Sequence, residues 1–164
     1  MRSSKTTAIV LKRINLKEAD RIVTVFSSDR GKIKFIAKGV RKIKSKNAGS
    51  IELFTLGEFL LYSKGKLDIL TGSQNIRPFP DDLPLEKIKL AGFIANIYLK
   101  NLPDEYVNEK LFNLIDESFR EIHRMSLEQI KYYFIAKYLT INGIYFELET
   151  CLKCGKKIAT EEKK

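Results

Sequence analysis

The chain has 164 residues, of which 44% are hydrophobic and 30% are charged, a composition typical of a folded globular protein rather than a disordered or fibrous one. It contains no run of about 18 apolar residues and no N-terminal signal core, so we expect a cytoplasmic protein that neither spans nor binds a membrane. This length suits one medium domain or two small ones, and we expect two.

The positive charge is concentrated in the first half of the chain. Residues 1–77 hold 17 Lys and Arg against 6 Asp and Glu, whereas residues 78–164 hold 13 against 14. A net charge of +11 on one segment attracts a polyanion, such as nucleic acid or an anionic surface, and solubility alone does not require such segregation. We therefore expect the first half to bind nucleic acid.

The first half predicts short strands separated by turn residues. Turn signals lie at 29–31, in the 42–49 loop and at 63–65. The five predicted strands are 6–14, 21–26, 32–39, 51–62 and 66–71. Five strands with basic charge suit the OB-fold, a barrel that binds oligonucleotides, although an SH3-like barrel would give a similar pattern.

The third predicted strand separates apolar from cationic side chains by the two-residue period. One face carries Ile33, Phe35 and Ala37, and the other carries Lys32, Lys34, Ile36 and Lys38. The first face is expected in the barrel core. The second is either a nucleic-acid contact or an ordinary solubilising face.

The pattern changes to helical spacing after Pro78 and Pro80, which favour extended backbone. Strands followed by helices give an α+β fold class. We predict a nucleic-acid-binding barrel over 1–77, a helical domain over 78–150, and a partial zinc-knuckle element or disordered tail over 151–164. The predicted helices cover 85–99, 106–124 and 126–142. The first should be a central buried helix because it is apolar around most of its circumference, and Ser126 with Gln129 forms a capping-box signature at the third.

No set of residues in this sequence predicts catalysis. His123 has no Cys or second His at ligand spacing, so it is expected on an ordinary helix surface. Residues 29–32 superficially resemble a phosphate-binding loop, but Phe26 stands where GxxxxGK requires its first glycine. We therefore expect a protein that is not an enzyme.

The strongest candidate site is a cluster of eight Lys and Arg within the seventeen residues 30–46, which contain no acid. Phosphates along a strand need repeated cations that tolerate a variable register, and a lysine-lined strand followed by a flexible basic loop supplies them. Tyr62, Phe35 and Phe54 could stack on bases if they faced outward, but the period assigns Phe35 to the core. The candidate contacts are Arg30, Lys32, Lys34, Lys38, Arg41, Lys42, Lys44 and Lys46.

Cys151 and Cys154 have the spacing of half a zinc site. They supply two of the four ligands that a closed structural zinc needs, and no Cys or His follows them. Half a zinc site and a pair of thiols both remain open interpretations. Two cysteines are also too few for a secreted disulfide framework, which agrees with a reducing compartment.

Several segments resemble, in order and spacing, the RecO family of recombination mediators. They are 18–26 (EADRIVTVF), 31–32 (GK), 37–42 (AKGVRK), 44–45 (KS) and 51–54 (IELF). The helical half and the late Cys-x-x-Cys-Gly also follow the family's order, so the resemblance covers the whole chain. Leu53 stands where many members have proline.

This resemblance implies an N-terminal OB-fold, a helical domain and a zinc-binding element. It also implies binding of single- and double-stranded DNA at the nucleoid, annealing of complementary strands, and partnership with RecR and with the C-terminal tail of single-stranded-DNA-binding protein to load the RecA recombinase. Lys38, Arg41, Lys42 and Lys44 would contact DNA, and Cys151 and Cys154 would be zinc ligands. The family's second cysteine pair is not in this sequence, so we expect zinc only in a longer form of the chain and none held tightly here.

Residues and resemblance together predict a non-enzymatic DNA repair and recombination protein that anneals strands by neutralising their charge. The main alternative is an RNA-binding OB-fold factor of translation or ribosome assembly, because a basic barrel permits both. A zinc-dependent nucleic-acid enzyme would need an open metal position and a general base, for which the sequence offers no set.

Overall fold

The computed structural model describes residues 3–63, 65–145 and 153. Five strands come first and three helices follow, with a short 3-10 turn, Gly49–Ile51, between the third and fourth strands. The strands are β1 Ser3–Leu16, β2 Asp20–Ser27, β3 Gly31–Ala37, β4 Leu56–Ser63 and β5 Asp68–Arg77. The helices are α1 Leu85–Asn101, α2 Glu109–Glu121 and α3 Leu127–Ile141. None of the helices in the described ranges has the length and apolar character needed to cross a bilayer.

The five strands close into a barrel in the order β1-β2-β3-β5-β4. Neighbouring strands are antiparallel except for β3 and β5, which pair in parallel through Phe35 with Asp68 and Ile36 with Ile69. A closed five-stranded barrel with this order is an OB-fold. The predicted α+β class and OB-fold barrel are confirmed.

The barrel interior is filled by apolar side chains that alternate along β1 to β4, together with Leu70 of β5. The predicted inner face of β3 is confirmed, because Ile33, Phe35 and Ala37 all lie in this core. Phe35 and Phe59 contact each other with ring centroids 5.4 Å apart. Burying apolar surface at about 25 cal/mol per Å² is the main force that holds such a barrel closed.

The predicted strand over 51–62 is wrong in its first part. Ile51 ends the 3-10 turn, and β4 begins only at Leu56. Between them Phe54 has a positive φ of 65°, and its amide donates to the Val10 carbonyl at 2.8 Å. Ile51 lies in the barrel core, and Phe54 lies in the core formed with the helices. The last strand also continues to Arg77, beyond its predicted end at residue 71.

The helices start at side-chain caps where the chain provides them. Asn108 accepts a hydrogen bond from the Leu111 amide at 3.0 Å, so α2 starts later than the predicted residue 106. The capping box predicted at Ser126 and Gln129 is confirmed. His123, expected on a helix surface, is exposed in the turn that follows α2.

A second apolar core joins the helices to the outside of the barrel. It contains the barrel residues Ile9, Leu11, Phe26, Phe54 and Leu56 together with buried residues of all three helices. Within this core Phe26 meets Tyr98 edge to face, with ring centroids 5.1 Å apart. The barrel therefore has an inner core and, on one outer side, a core that it shares with the helices.

The prediction that α1 is a central buried helix is wrong. Leu90, Ala91, Ile94, Ala95 and Tyr98 are buried on the side that packs against the barrel and the other helices. The opposite side is exposed to solvent and still carries apolar residues, including Leu85 and Phe93. The apolar residues around the whole helix had predicted burial on every side. One side is exposed because no element of the described chain covers it.

The connection between α1 and α2 crosses the start of β3. The Glu105 amide donates to the Lys32 carbonyl at 2.9 Å, and Asp104 forms an isolated parallel bridge with Lys32. Gly31 has a φ of +66°, and a Cβ there would overlap the backbone of Tyr106. Glycine is therefore required at this point both by its conformation and by the close approach of the connection.

Candidate nucleic-acid interface

The loop over residues 38–48, which we call the basic loop, joins β3 to the 3-10 turn. Five of its cations are exposed: Lys38, Arg41, Lys42, Lys44 and Lys46. Ile43, between two of these lysines, is also fully exposed. The structure thus places five of the eight predicted contacts on one solvent-facing loop.

The basic loop is anchored at its base to the turn between β1 and β2. The Gly39 amide donates to Asp20 Oδ1 at 2.7 Å, and the Arg41 amide donates to the Ala19 carbonyl at 3.0 Å. Gly39 takes a positive φ of 64°, which allows the chain to turn back at this contact. Val40, between these two residues, is buried in the barrel core and so holds the start of the basic loop against the barrel.

Arg41 holds the same contact with its side chain. Its Nη1 donates to the Glu18 carbonyl at 2.8 Å and to the Lys17 carbonyl at 3.3 Å, while the residue remains exposed. A guanidinium has five N–H donors, so these bonds leave donors for a phosphate. Arg41 therefore both shapes the loop and presents charge.

The other three predicted contacts have structural partners. Arg30 pairs with Asp68 at 2.8 Å, and Lys34 pairs with Asp104 at 3.2 Å. Lys32 is only 8% exposed, and its Nζ donates to the Leu99 carbonyl at 3.1 Å and to the Leu102 carbonyl. The period placed Lys32 correctly on the outer face of β3, but helix α1 ends directly above that face.

Lys32 neutralises the carboxyl-terminal end of α1. The last carbonyls of a helix have no partner within the helix and carry partial negative charge, so a buried ammonium is stabilised there. The Asp104 carboxylate also pairs with this ammonium, with its Oδ1 3.3 Å from Lys32 Nζ. Hydrogen bonds from Lys34 and then Lys32 outweigh the effect of desolvation and lower the pKa of the Asp104 carboxyl.

A groove runs between the outer face of β1, β2 and β3 and the last turns of α1. Its lining includes Lys12, Ile14, Ile22, Lys34, Leu99 and Lys100. In OB-folds the face of strands 2 and 3 is the usual oligonucleotide surface, and here α1 covers one part of it and leaves this groove beside it.

Sequence reasoning missed Lys12 and Ile14 as groove residues because β1 contains a bulge. Pairing with β2 shifts register between Val10 and Lys12, so Val10 pairs with Val25 whereas Lys12 pairs with Thr24. An extra residue in one strand reverses which side chains face inward. Lys12 and Ile14 are exposed as a result, where strict alternation from Val10 would place both inside the barrel.

Both the barrel and the helical half of the chain match models of one known protein family. The family model described as "Recombination protein O N terminal" matches residues 1–79, and "Recombination protein O C terminal" matches residues 84–163. A protein named "DNA repair protein RecO" from Geobacter metallireducens is 31% identical over 168 residues, covering 100% of this chain and 68% of its own length. The chain belongs to the RecO family.

Other RecO proteins show similar levels of identity. The "DNA repair protein RecO" of Dehalococcoides mccartyi strain 195 is 32% identical over 156 residues, which cover 94% of this chain and 62% of that protein. The protein of the same name from Desulforamulus reducens is 30% identical over 159 residues, covering 96% and 62%. The chain thus spans about 62% of the length of these curated RecO relatives.

The two segments that carry the RecO resemblance most specifically, 18–21 and 37–41, contact each other in the fold. Their contact is the anchor of the basic loop, formed by Asp20 with Gly39 and by Ala19 with Arg41. Cys151 and Cys154, the predicted zinc ligands, lie outside the described residues. Within the described ranges no group of three or more His, Cys, Asp or Glu residues is placed to hold a metal ion.

Proposed function

We propose that this chain binds DNA and promotes the annealing of complementary strands during repair and recombination, without catalysing a reaction itself. The observation that carries the proposal is the basic loop, which presents five exposed cations and is hydrogen-bonded at its base to the turn between β1 and β2. The RecO relatives bear the name of a DNA repair protein, which favours DNA over RNA as the ligand.

Annealing by such a surface requires charge neutralisation rather than base recognition. Two single strands repel each other through their phosphates, and lysines that displace counterions lower that repulsion. Long side chains on a loop tolerate many phosphate positions, so they leave the bases available to pair with the second strand. The RecO family further suggests RecR, single-stranded-DNA-binding protein and RecA as partners in the same process.

The test is the salt dependence of binding to a labelled single-stranded oligonucleotide. The five cations of the basic loop should contribute about −3.5 to the log-log slope, since each contact on a single strand contributes about −0.7. Charge reversal at both Lys42 and Lys44 should weaken binding to all sequences and slow annealing of complementary strands, measured by energy transfer between labelled oligonucleotides.

The matched control reverses two exposed lysines of the helices, Lys110 and Lys131, which changes the net charge equally. Equal losses in the two double variants would show that only overall charge matters and would contradict the assigned surface. An RNA oligonucleotide that competes much better than DNA of the same sequence would favour an RNA-binding role instead.

A further inference from the structure

The exposed side of α1 carries a stripe that the packing of the helix does not explain. Lys89, Phe93, Asn96 and Lys100 are spaced three or four residues apart, so they lie along one face, and all four are exposed. Phe93 is 49% exposed and lies between two lysines. Apolar burial accounts for the opposite side of the helix, whereas this side combines an aromatic ring with cations.

This stripe borders the groove beside β1. The groove described above continues along α1 into a second depression lined by Lys12, Arg13, Phe54, Lys89 and Phe93. The two depressions share Lys12, Asn96 and Leu99, so they adjoin each other along α1. Neither is lined by any Asp or Glu among the described residues, although Arg13 is paired with Glu52 just outside.

We propose that this groove holds a single strand of nucleic acid, with one base stacked on Phe93 and phosphates beside Lys12, Lys89 and Lys100. The proposal rests on the DNA-binding function proposed above and extends it from the barrel to the helices. Lys89 and Lys100 are about 16 Å apart along the helix axis, so they can neutralise phosphates on either side of the stacked base.

Stacking on an exposed ring restricts the ligand to unpaired bases. The faces of bases inside a duplex are already stacked on their neighbours, whereas a single strand offers every base face to an aromatic side chain. A groove with an aromatic ring and cations but no acid is therefore selective for single strands. The basic loop, in contrast, offers only charge and fits either form of DNA.

The direct test replaces Phe93 with tryptophan in the full chain. The protein has no natural tryptophan, so the Phe93→Trp variant reports from this one position. We expect an oligothymidine to quench the tryptophan fluorescence saturably, at the same concentrations at which the anisotropy of a labelled oligonucleotide reports binding. A duplex of equal length should bind without quenching.

The outcomes separate this inference from the proposed function. Binding by anisotropy without quenching would overturn the groove and leave DNA binding by the basic loop intact. Absence of any binding would overturn both. Quenching by an acidic peptide but not by oligothymidine would show that the groove is a peptide site and would also overturn the inference.

A second set of variants tests the same groove without a tryptophan in it. A Cβ at Gly92 would meet no heavy atom within 4 Å, so side chains there point into open space. Gly92 lines this groove, so Gly92→Glu places a carboxylate in it and should weaken single-strand binding more than Ala136→Glu, an equal charge change on the exposed side of α3. Phe93→Ala should weaken it by roughly 5- to 150-fold, the usual range for losing one stacked base. Equal affinities of Gly92→Glu and Ala136→Glu for single-stranded DNA would refute the proposal that the strand lies in this groove.

Discussion

Replacement of Lys32 by methionine should lower stability and leave DNA binding unchanged. Methionine keeps most of the apolar stem but removes the ammonium that donates to the Leu99 and Leu102 carbonyls at the end of α1. Hydrogen bonds that involve a charged group contribute about 1.5–3 kcal/mol each, and the two carbonyls would lose a buried donor. Because methionine recovers some packing, we expect the free energy of unfolding to fall by about 2–4 kcal/mol.

Chemical denaturation and thermal melting measure this loss. For a chain of this size about 1 kcal/mol corresponds to about 2–4 °C, so the melting temperature should fall by roughly 4–16 °C. The companion variant Lys42→Gln should behave in the opposite way, with unchanged stability and a salt slope for single-stranded DNA that is shallower by about 0.7. If Lys32→Met is stable to within about 0.5 kcal/mol and the salt slope becomes shallower, Lys32 is a DNA contact and its assignment to the helix end is wrong.

Other parts of the fold give further tests. Gly31→Ala should destabilise the chain by about 2–4 kcal/mol in denaturation, because it combines a positive φ with overlap on the Tyr106 backbone; a neutral effect would contradict the close approach. Asp20→Ala should speed hydrogen exchange of the Gly39 amide, while Asp20→Asn, which keeps an acceptor, should not. Burial alone would raise the pKa of the Asp68 carboxyl, but hydrogen bonds from Ser63 and Arg30 hold it below its usual value. Its contribution to stability is therefore present above the unfolded pKa and lost as pH falls through the folded one, so Asp68→Asn should flatten the acid side of the stability profile. The two cysteines should retain no zinc after dialysis against a weak chelator, as checked by metal analysis.

The parts of the fold that were predicted correctly depend on local rules. Alternation along β3 identified Ile33, Phe35 and Ala37 as core because that strand is regular throughout. The capping box at Ser126 was readable because both of its hydrogen bonds join residues three apart. Such features are determined within a few residues, so a single sequence is sufficient to find them.

The errors occurred where distant segments determine the local structure. The positive φ of Phe54 and the bulge after Val10 adjust β1 and its neighbours to the shared core, and neither has a signature in the sequence. Lys32 looked equivalent to Lys34 and Lys38 by period, yet only Lys32 lies under the end of α1. The sequence located the candidate contacts on β3 and on the loop after it, but separating the buried from the exposed cations required the position of the end of α1, 70 residues after Lys32.

The net charge of each half of the chain also fails to locate the second proposed binding surface. The second half is nearly neutral as a sum, but its lysines at positions 89 and 100 border a groove whose other wall carries Lys12. A polyanion responds to the local field of the groove rather than to the sum over a segment. Cutting the chain at residue 77 would not isolate the binding surface, because it would expose Ile9, Leu11 and Phe26, which now pack against the helices. Loss of binding in such a fragment would then report misfolding as readily as lost contacts, so point variants in the full chain are the decisive comparison for both surfaces.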